Sequence, residues 1–450
     1  MNKNRAAKLV AGLLALGLIA AACGDDGGKA ATTASTTTAK AAATGSGTGT
    51  GTSSGTGAGT AATGTCTAGA PTLKIGGLAQ AQNFAGMDEG IKAVVEKANK
   101  TCIGGRKLEF VGLKDDGSDP AKNLSLAQSL VEQDKVFAII ATSAVLLPAT
   151  TDYLASKKVP FFGWGFMPGF CNSKKGANDS WGYGFNGCLS AFALGLSKKT
   201  NGSLIAPIAT VVKKDADKLT LVKFSSDDDA GTFGDLQYAA LFTKAQVVGS
   251  ARVPTQGAGD YTQFVNLVKD KKPDAVMIST DFVSGIKMKG ALRAAGYTGL
   301  MYDYTTYIPG FLEAQKDTAA ALEGGYSETQ LPANEDNTAA IKQITADLVA
   351  AGSKLPFATQ GASIGYWSTE LLRQMLVATA AKGDITADNF RKVVEGGFSS
   401  TPVDGGLGAV KFPDNHEENV PCSGLVKVEG GKFVSVVPFK CYTLLDAKTS

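Results

Sequence analysis

The chain has 450 residues, 44% of them hydrophobic, and carries 44 Lys plus Arg against 41 Asp plus Glu, with one histidine. So even a balance gives no basic footprint for nucleic acid, and one histidine without any C-x-x-C pair leaves zinc without its usual ligands. A single core is too few for a chain of this length, so more than one folded unit is expected.

The first element is a leader. Lys3, Arg5 and Lys8 precede the uncharged run LVAGLLALGLIAAA, which ends at Cys23 and is followed by GDDGG. A cationic start, a short apolar stretch and small residues at the cut describe a secretory signal over residues 1–22. The run has fourteen residues, and a membrane-spanning helix needs about 20, so removal rather than retention is expected. The residues AAAC resemble a bacterial lipobox, with Ala20 where leucine is usual and Ile19 one step back. That resemblance implies lipidation of Cys23 and a protein exported and anchored to the outer face of the cell membrane, since two or more acyl chains hold stably where one does not.

Of the seven cysteines, Cys23 set aside leaves Cys66, Cys102, Cys171, Cys188, Cys422 and Cys441. An oxidising compartment allows three disulfides in any of about fifteen pairings. The sequence-local set, 66 with 102, 171 with 188 and 422 with 441, is the expected one.

Residues 23–70 form the lipidated end and a tether of Ala, Thr, Gly and Ser, as in TGSGTGTGTSSGTGAGT. Such a segment cannot bury enough surface to offset its ordering entropy and is expected to be disordered. Its glycines neither follow a strand nor open a helix, which removes a nucleotide-loop reading.

From Leu73 the signals alternate. LKIGGL, LEFVGL and VFAIIA read as short buried strands, and Ile91, Val94, Val95 and Ala98 fall on one helical face. In SDPAKNLSLAQSLVEQ, Asp119 suits the N-cap and Pro120 the first helical position, with Leu124, Ala127, Leu130 and Val131 facing one way. Next, VPFFGWGFMPGFC places Phe161 and Phe162 in a buried strand and Trp164, Phe166 and Met167 beyond its end, where they are read as cleft wall. Phe170 is expected to pack under a disulfide loop. The alternation restarts with LTLVKF at 219, a helix through Phe264, Leu267 and Val268, AVMIST at 275, and a helix through Met288, Ala291, Leu292 and Ala295. This βαβ pattern means parallel sheet, hence an α/β fold in two lobes.

LKIGGLAQ, GGRKLEFVGLKDDGSDPAKNLSLAQSLVEQDKVFAII, KKVPFF, FSSDDDAGTFGD and DYTQFVNLVKDKKPDAVMIST resemble the branched-chain amino-acid-binding proteins of ABC importers. The resemblance runs from about Leu73 to Gly352 and continues more faintly to the C-terminus. It implies a type I periplasmic binding fold: two doubly wound parallel-sheet lobes, three hinge crossovers and a central ligand cleft. Carried over, lobe one covers 72–195 with 328–398, and lobe two 196–327 with 399–450.

In that family, small hydroxyl residues grip the ligand carboxylate, aromatics from both lobes sandwich it, and a second-lobe acid pairs with its ammonium. Here the third-strand position falls on Ser143 or Ala144, and the fourth-strand position on Gly165, Phe166 and Met167, where the family has Ser, Ala and Thr. Phe84 and Trp164 are the first-lobe aromatics of the implied site. In the second lobe Phe233 stands for the usual Tyr, the next position falls on Asp281 or Phe282, and the acid position falls on Tyr304, with Asp303 one residue away. The clamp has become apolar, so a ligand with a hydrophobic or aromatic body is expected rather than a plain amino acid.

No catalytic arrangement is evident. His416 lies in the polar stretch PDNHEEN, read as a surface loop, and no Ser-His-Asp or Cys-His set forms without it. Asp227, Asp228 and Asp229 lack alternating calcium-ligand spacing and read as a solvated turn or cap. The expectation is a solute-binding lipoprotein without enzymatic activity, cofactor, metal or nucleic-acid partner, working with an ABC permease and ATPase encoded elsewhere. A sensory receptor of the same fold, coupled to a signalling protein, is the alternative.

Overall fold

The computed structural model describes residues 63–446, apart from 172–180, 193, 202–204, 228–244 and 256. Two large sheets organise them. The first contains β1 (Leu73–Ala79), β2 (Leu108–Asp115), β3 (Ala138–Thr142), β4 (Phe161–Gly163) and β5 (Gly182–Gly184), in the order β2-β1-β3-β4-β5. Every pairing in it is parallel. The sequence AIIAT of β3 is buried throughout, because helices cover both faces of a parallel sheet and leave no face for polar residues. Helices Met87–Asn99 and Gln360–Ala380 pack on one face, and Pro120–Glu132 and Pro148–Ser156 on the other. Asp119 caps the third of these as expected, accepting from the amides of Ala121 and Lys122.

The chain passes through β6 (Lys199–Asn201) into the second sheet: β7 (Thr220–Ser226), β8 (Gln246–Val253), β9 (Ala275–Ser279), β10 (Leu300–Asp303) and β11 (Tyr326–Thr329), all parallel. It then returns to the first lobe, where Ala339–Ala350, Gln360–Ala380 and Ala387–Glu395 close the first core. The hairpin of β12 (Phe398–Ser399) and β13 (Lys411–Phe412) follows. A last crossing leads to β14 (Cys422–Glu429) and β15 (Lys432–Cys441), an antiparallel hairpin that extends the second sheet to the order β15-β14-β11-β10-β9-β7-β8. Finally β16 (Leu444–Asp446) pairs with β6. The first and third crossovers run side by side: the Val420 amide donates to the Asn186 carbonyl at 2.8 Å, and the Cys188 amide to that of Glu418 at 3.1 Å.

Two expected boundaries shift. Glu328 and Thr329 belong to β11 and thus to the second sheet, so the return begins after Thr329 rather than at 328. Residues from 399 do not enter the second lobe at once, because Leu407, Val410 and Phe412 are buried in the first core. His416 holds this segment down. It is 2% exposed against Tyr183 and Phe412, with Nε2 3.0 Å from Glu395 Oε1, which corrects the surface-loop reading.

Disulfides join Cys66 to Cys102, Cys171 to Cys188 and Cys422 to Cys441. The pairing is the sequence-local one.

Candidate functional site

The carboxyl ends of β4, β10 and β11 converge on a cleft between the lobes. Trp164 enters from the first lobe, Tyr304 and Tyr307 from the second, Glu328 from β11 itself and Gln330 from the crossover that leaves it, with Gln360 at the start of a first-lobe helix. Ligands of parallel α/β folds sit outside such strand ends, where loops and helix starts meet.

The loop after β4 is laid down by glycine. A Cβ on Gly163 would lie 2.0 Å from the Ala141 carbonyl oxygen, and one on Gly165 1.8 Å from that of Gly187. Only a residue without a side chain permits such approaches. Gly165 donates its amide to Asn186 Oδ1 at 2.8 Å, and Ser190 Oγ donates to the Phe166 carbonyl at 2.7 Å. So anchored, the loop holds Trp164 edge-on to Phe166, ring centroids 5.4 Å apart at 72°. Met167 turns inward and packs against the core around Phe161 and Phe170. Phe161, Phe162 and Phe170 are buried, as a strand and its covering loop require.

Ser143 is buried, and its Oγ accepts from the Val145 amide at 3.1 Å. Ala144 is exposed. Phe84 is packed in the first-lobe core. Asp281 caps helix Phe282–Ala294 by accepting from the amides of Val283 and Ser284, and Phe282 packs edge-on against Phe311. Phe233 lies outside the described residues, as do Asp228 and Asp229. Trp164 and Tyr304 therefore come together in one cleft, whereas Phe84, Met167 and Phe282 are drawn into packing.

Asp303 and Tyr304 occupy different surroundings. Asp303 is fully buried, with Oδ2 2.7 Å from Lys289 Nζ and further hydrogen bonds from Thr306. Lys289 is equally buried and also donates to the Tyr326 carbonyl. Burial lowers the Lys289 pKa, while the Asp303 charge and hydrogen bond oppose the fall. Tyr304 instead reaches the cleft, its hydroxyl 3.2 Å from Ser279 Oγ.

Glu328 escaped the sequence reading. It is 3% exposed, and its Oε2 has no hydrogen-bond partner among the described residues. Burial pushes its pKa up to about 8, against the pull of hydrogen bonds from Tyr302 and Gln330, and the Asp303 charge adds to the rise. An acid at an inward position of the strand YSET was the available signal. Tyr307 closes the crossover side: its hydroxyl donates to Glu335 at 2.7 Å and accepts from the Asn334 amide. Among the described residues no cluster of three His, Cys, Asp or Glu side chains could hold a metal ion, and no helix is long and apolar enough to cross a membrane.

The sequence matches the periplasmic binding protein family over residues 73–432. No curated protein matches it. Among solved structures, a fatty acid ABC transporter substrate-binding protein from Thermomonospora curvata is similar at 16% identity and a TM-score of 0.61, covering 82% of this chain and 92% of that one. An R. palustris ABC transporter solute-binding protein in complex with 4-hydroxybenzoate is similar at 19% identity and 0.59, covering 84% and 98%. Another R. palustris solute-binding protein, in complex with benzoate, is similar at 17% and 0.55, covering 84% and 100%. With two doubly wound lobes, three crossovers and a match over most of its length, the chain belongs to the periplasmic binding protein family and has a type I fold.

Proposed function

We infer that this protein captures a small molecule with an aromatic or apolar body and presents it to an ABC permease and its ATPase. The observation that carries the reading is the cleft wall of Trp164, Tyr304 and Tyr307, contributed by both lobes. The rings offer a face on which such a body can lie, while Glu328, Gln330 and Gln360 beside them supply polar anchors. Asp303, the acid one residue from the expected ammonium position at Tyr304, is committed to Lys289, which speaks against a plain amino acid. Two solved structures of the same fold were obtained with benzoate and 4-hydroxybenzoate, and these compounds are the first to try. Of the sequence-expected residues, Trp164, Gly165, Phe166 and Tyr304 form our proposed site.

Lobe closure follows from differential contact: a ligand touching both lobes favours the state in which both can reach it. Calorimetry with benzoate, 4-hydroxybenzoate, a medium-chain fatty acid and leucine tests the reading. Binding of one of the first three with leucine silent is the expected result; leucine alone binding overturns it.

The protein works from the outer face of the cell membrane, held by lipid on Cys23 through the tether of residues 23–70. The AAAC end of the leader supports this. Cys23→Ala should release the protein from the membrane fraction or leave the leader uncut. Unchanged membrane association and a mature mass without acyl chains would be the contrary outcome.

A further inference from the structure

Glu328 and Trp164 share a property that the aromatic wall does not explain. Each presents a buried polar atom, Oε2 and Nε1, that has no hydrogen-bond partner among the described residues, and both side chains line the same cleft. They come from opposite lobes. Thr329 Oγ1, on the same wall, also has no partner among the described residues; buried polar atoms are almost always satisfied, so atoms left open at a cleft mark a place for ligand atoms.

The surroundings fix what that atom is. The indole N–H is a donor only. Glu328 faces Tyr302 on β10, Tyr304 just after that strand, Leu425 on β14, Tyr442 beyond β15, and its own neighbour Gln330. Asp303 acts on it only through its charge, from its own pair with Lys289. Lys427, back along β14, lies over the Tyr326 ring and 3.6 Å from Glu429. A carboxylate desolvated without a paired cation keeps its proton instead, and a neutral carboxyl is a hydrogen-bond donor, a device binding sites use to hold an oxyanion. Two donors, one from each lobe, then line the same cleft.

Resting on the aromatic-ligand reading above, we propose that the ligand is an aromatic acid whose carboxylate is gripped between the neutral carboxyl of Glu328 and the indole N–H of Trp164. The grip spans the lobes, so it exists only when they are closed. The anchor replaces a cationic clamp by a proton, and binding therefore depends on that proton being present. Among the groups facing Glu328, the Tyr442 phenol is pushed up to about 12, burial first and the Glu328 charge second.

Benzoate is the probe, because it has no second titrating group in the range. Calorimetry on the full mature chain in detergent should give a constant affinity from pH 6 to 7, then a fall approaching tenfold per unit above pH 8.5 with proton uptake on binding. Glu328→Gln keeps a donor and should bind benzoate within a few-fold of wild type with the slope abolished. Glu328→Ala and Trp164→Phe should each weaken it at least tenfold. A flat pH profile with full affinity in Glu328→Ala would overturn the grip while leaving the aromatic reading intact. Benzylamine binding that strengthens with pH and vanishes in Glu328→Gln would also overturn it, in favour of an ionised acid holding an ammonium. If wild type binds none of benzoate, 4-hydroxybenzoate and the fatty acid, the aromatic reading itself falls, and this inference with it.

Discussion

Lys289 and Asp303 are fully buried and 2.7 Å apart, and removing one partner of such a pair leaves the other charge uncompensated. Asp303→Ala is expected to cost about 3–5 kcal/mol in chemical denaturation, whereas replacing both by apolar residues of similar volume should recover most of it. A loss of ligand binding in Asp303→Ala would consequently report on the fold, and the double variant separates the two effects. Glu328 gives an opposite sign. Its folded pKa lies above the ordinary glutamate value, so the stability it permits is fully present below about pH 4.5 and is lost as pH rises through about 8. Glu328→Gln should therefore raise stability by about 2–4 kcal/mol at pH 8 and change little at pH 4; equal melting shifts at both values would contradict this. Trp164 was legible in the sequence because it follows a buried strand and sits between glycines. The Asp303 and Tyr304 pair was not, since MYDY is apolar or aromatic on either side and alternation alone does not say which face meets the cleft. Glu328 was hidden for another reason: its burial is imposed in part by β14, nearly a hundred residues downstream.

At the scale of elements, the loop after β4 depends on supports distant in sequence. The bond between Cys171 and Cys188 closes a separation of 17 residues and is worth about 3 kcal/mol in the chain-entropy picture. Replacing both cysteines by serine should lower stability by about that amount and weaken the ligand, because Gly165 rests on Asn186 and Gly187 just before Cys188. A variant with reduced melting temperature and unchanged affinity would show that the glycine contacts suffice. Helix starts such as Asp119 and Pro120 could be read directly, since a cap is a local interaction. The segment from Ser399 to Phe412 could not, because it has no periodicity of its own. Its place in the first core follows from contacts made by His416, whose neighbour Glu395 also accepts from the Tyr183 hydroxyl at 3.0 Å.

For the whole molecule, alternation of buried strand and amphipathic helix was enough to give the parallel strands of two sheets, though not the antiparallel hairpin that extends the second, since short loops and right-handed crossovers leave few arrangements open. The lobes have their own cores and are joined through paired crossovers, the arrangement in which domains can close about a ligand. Saturating benzoate should reduce the radius of gyration in solution scattering and raise the melting temperature together, as binding to the closed form alone requires. A rise in melting temperature with an unchanged radius would mean that the lobes are already closed without ligand.

Gly163 and Gly165 leave no room for a side chain, and this separates the route of the loop from its display. A random library across residues 161–167 should return these two glycines in nearly every folded clone, while Trp164 and Phe166 vary freely. Descendants of such a chain can change their cargo by altering what stands on the track; they cannot re-lay the track.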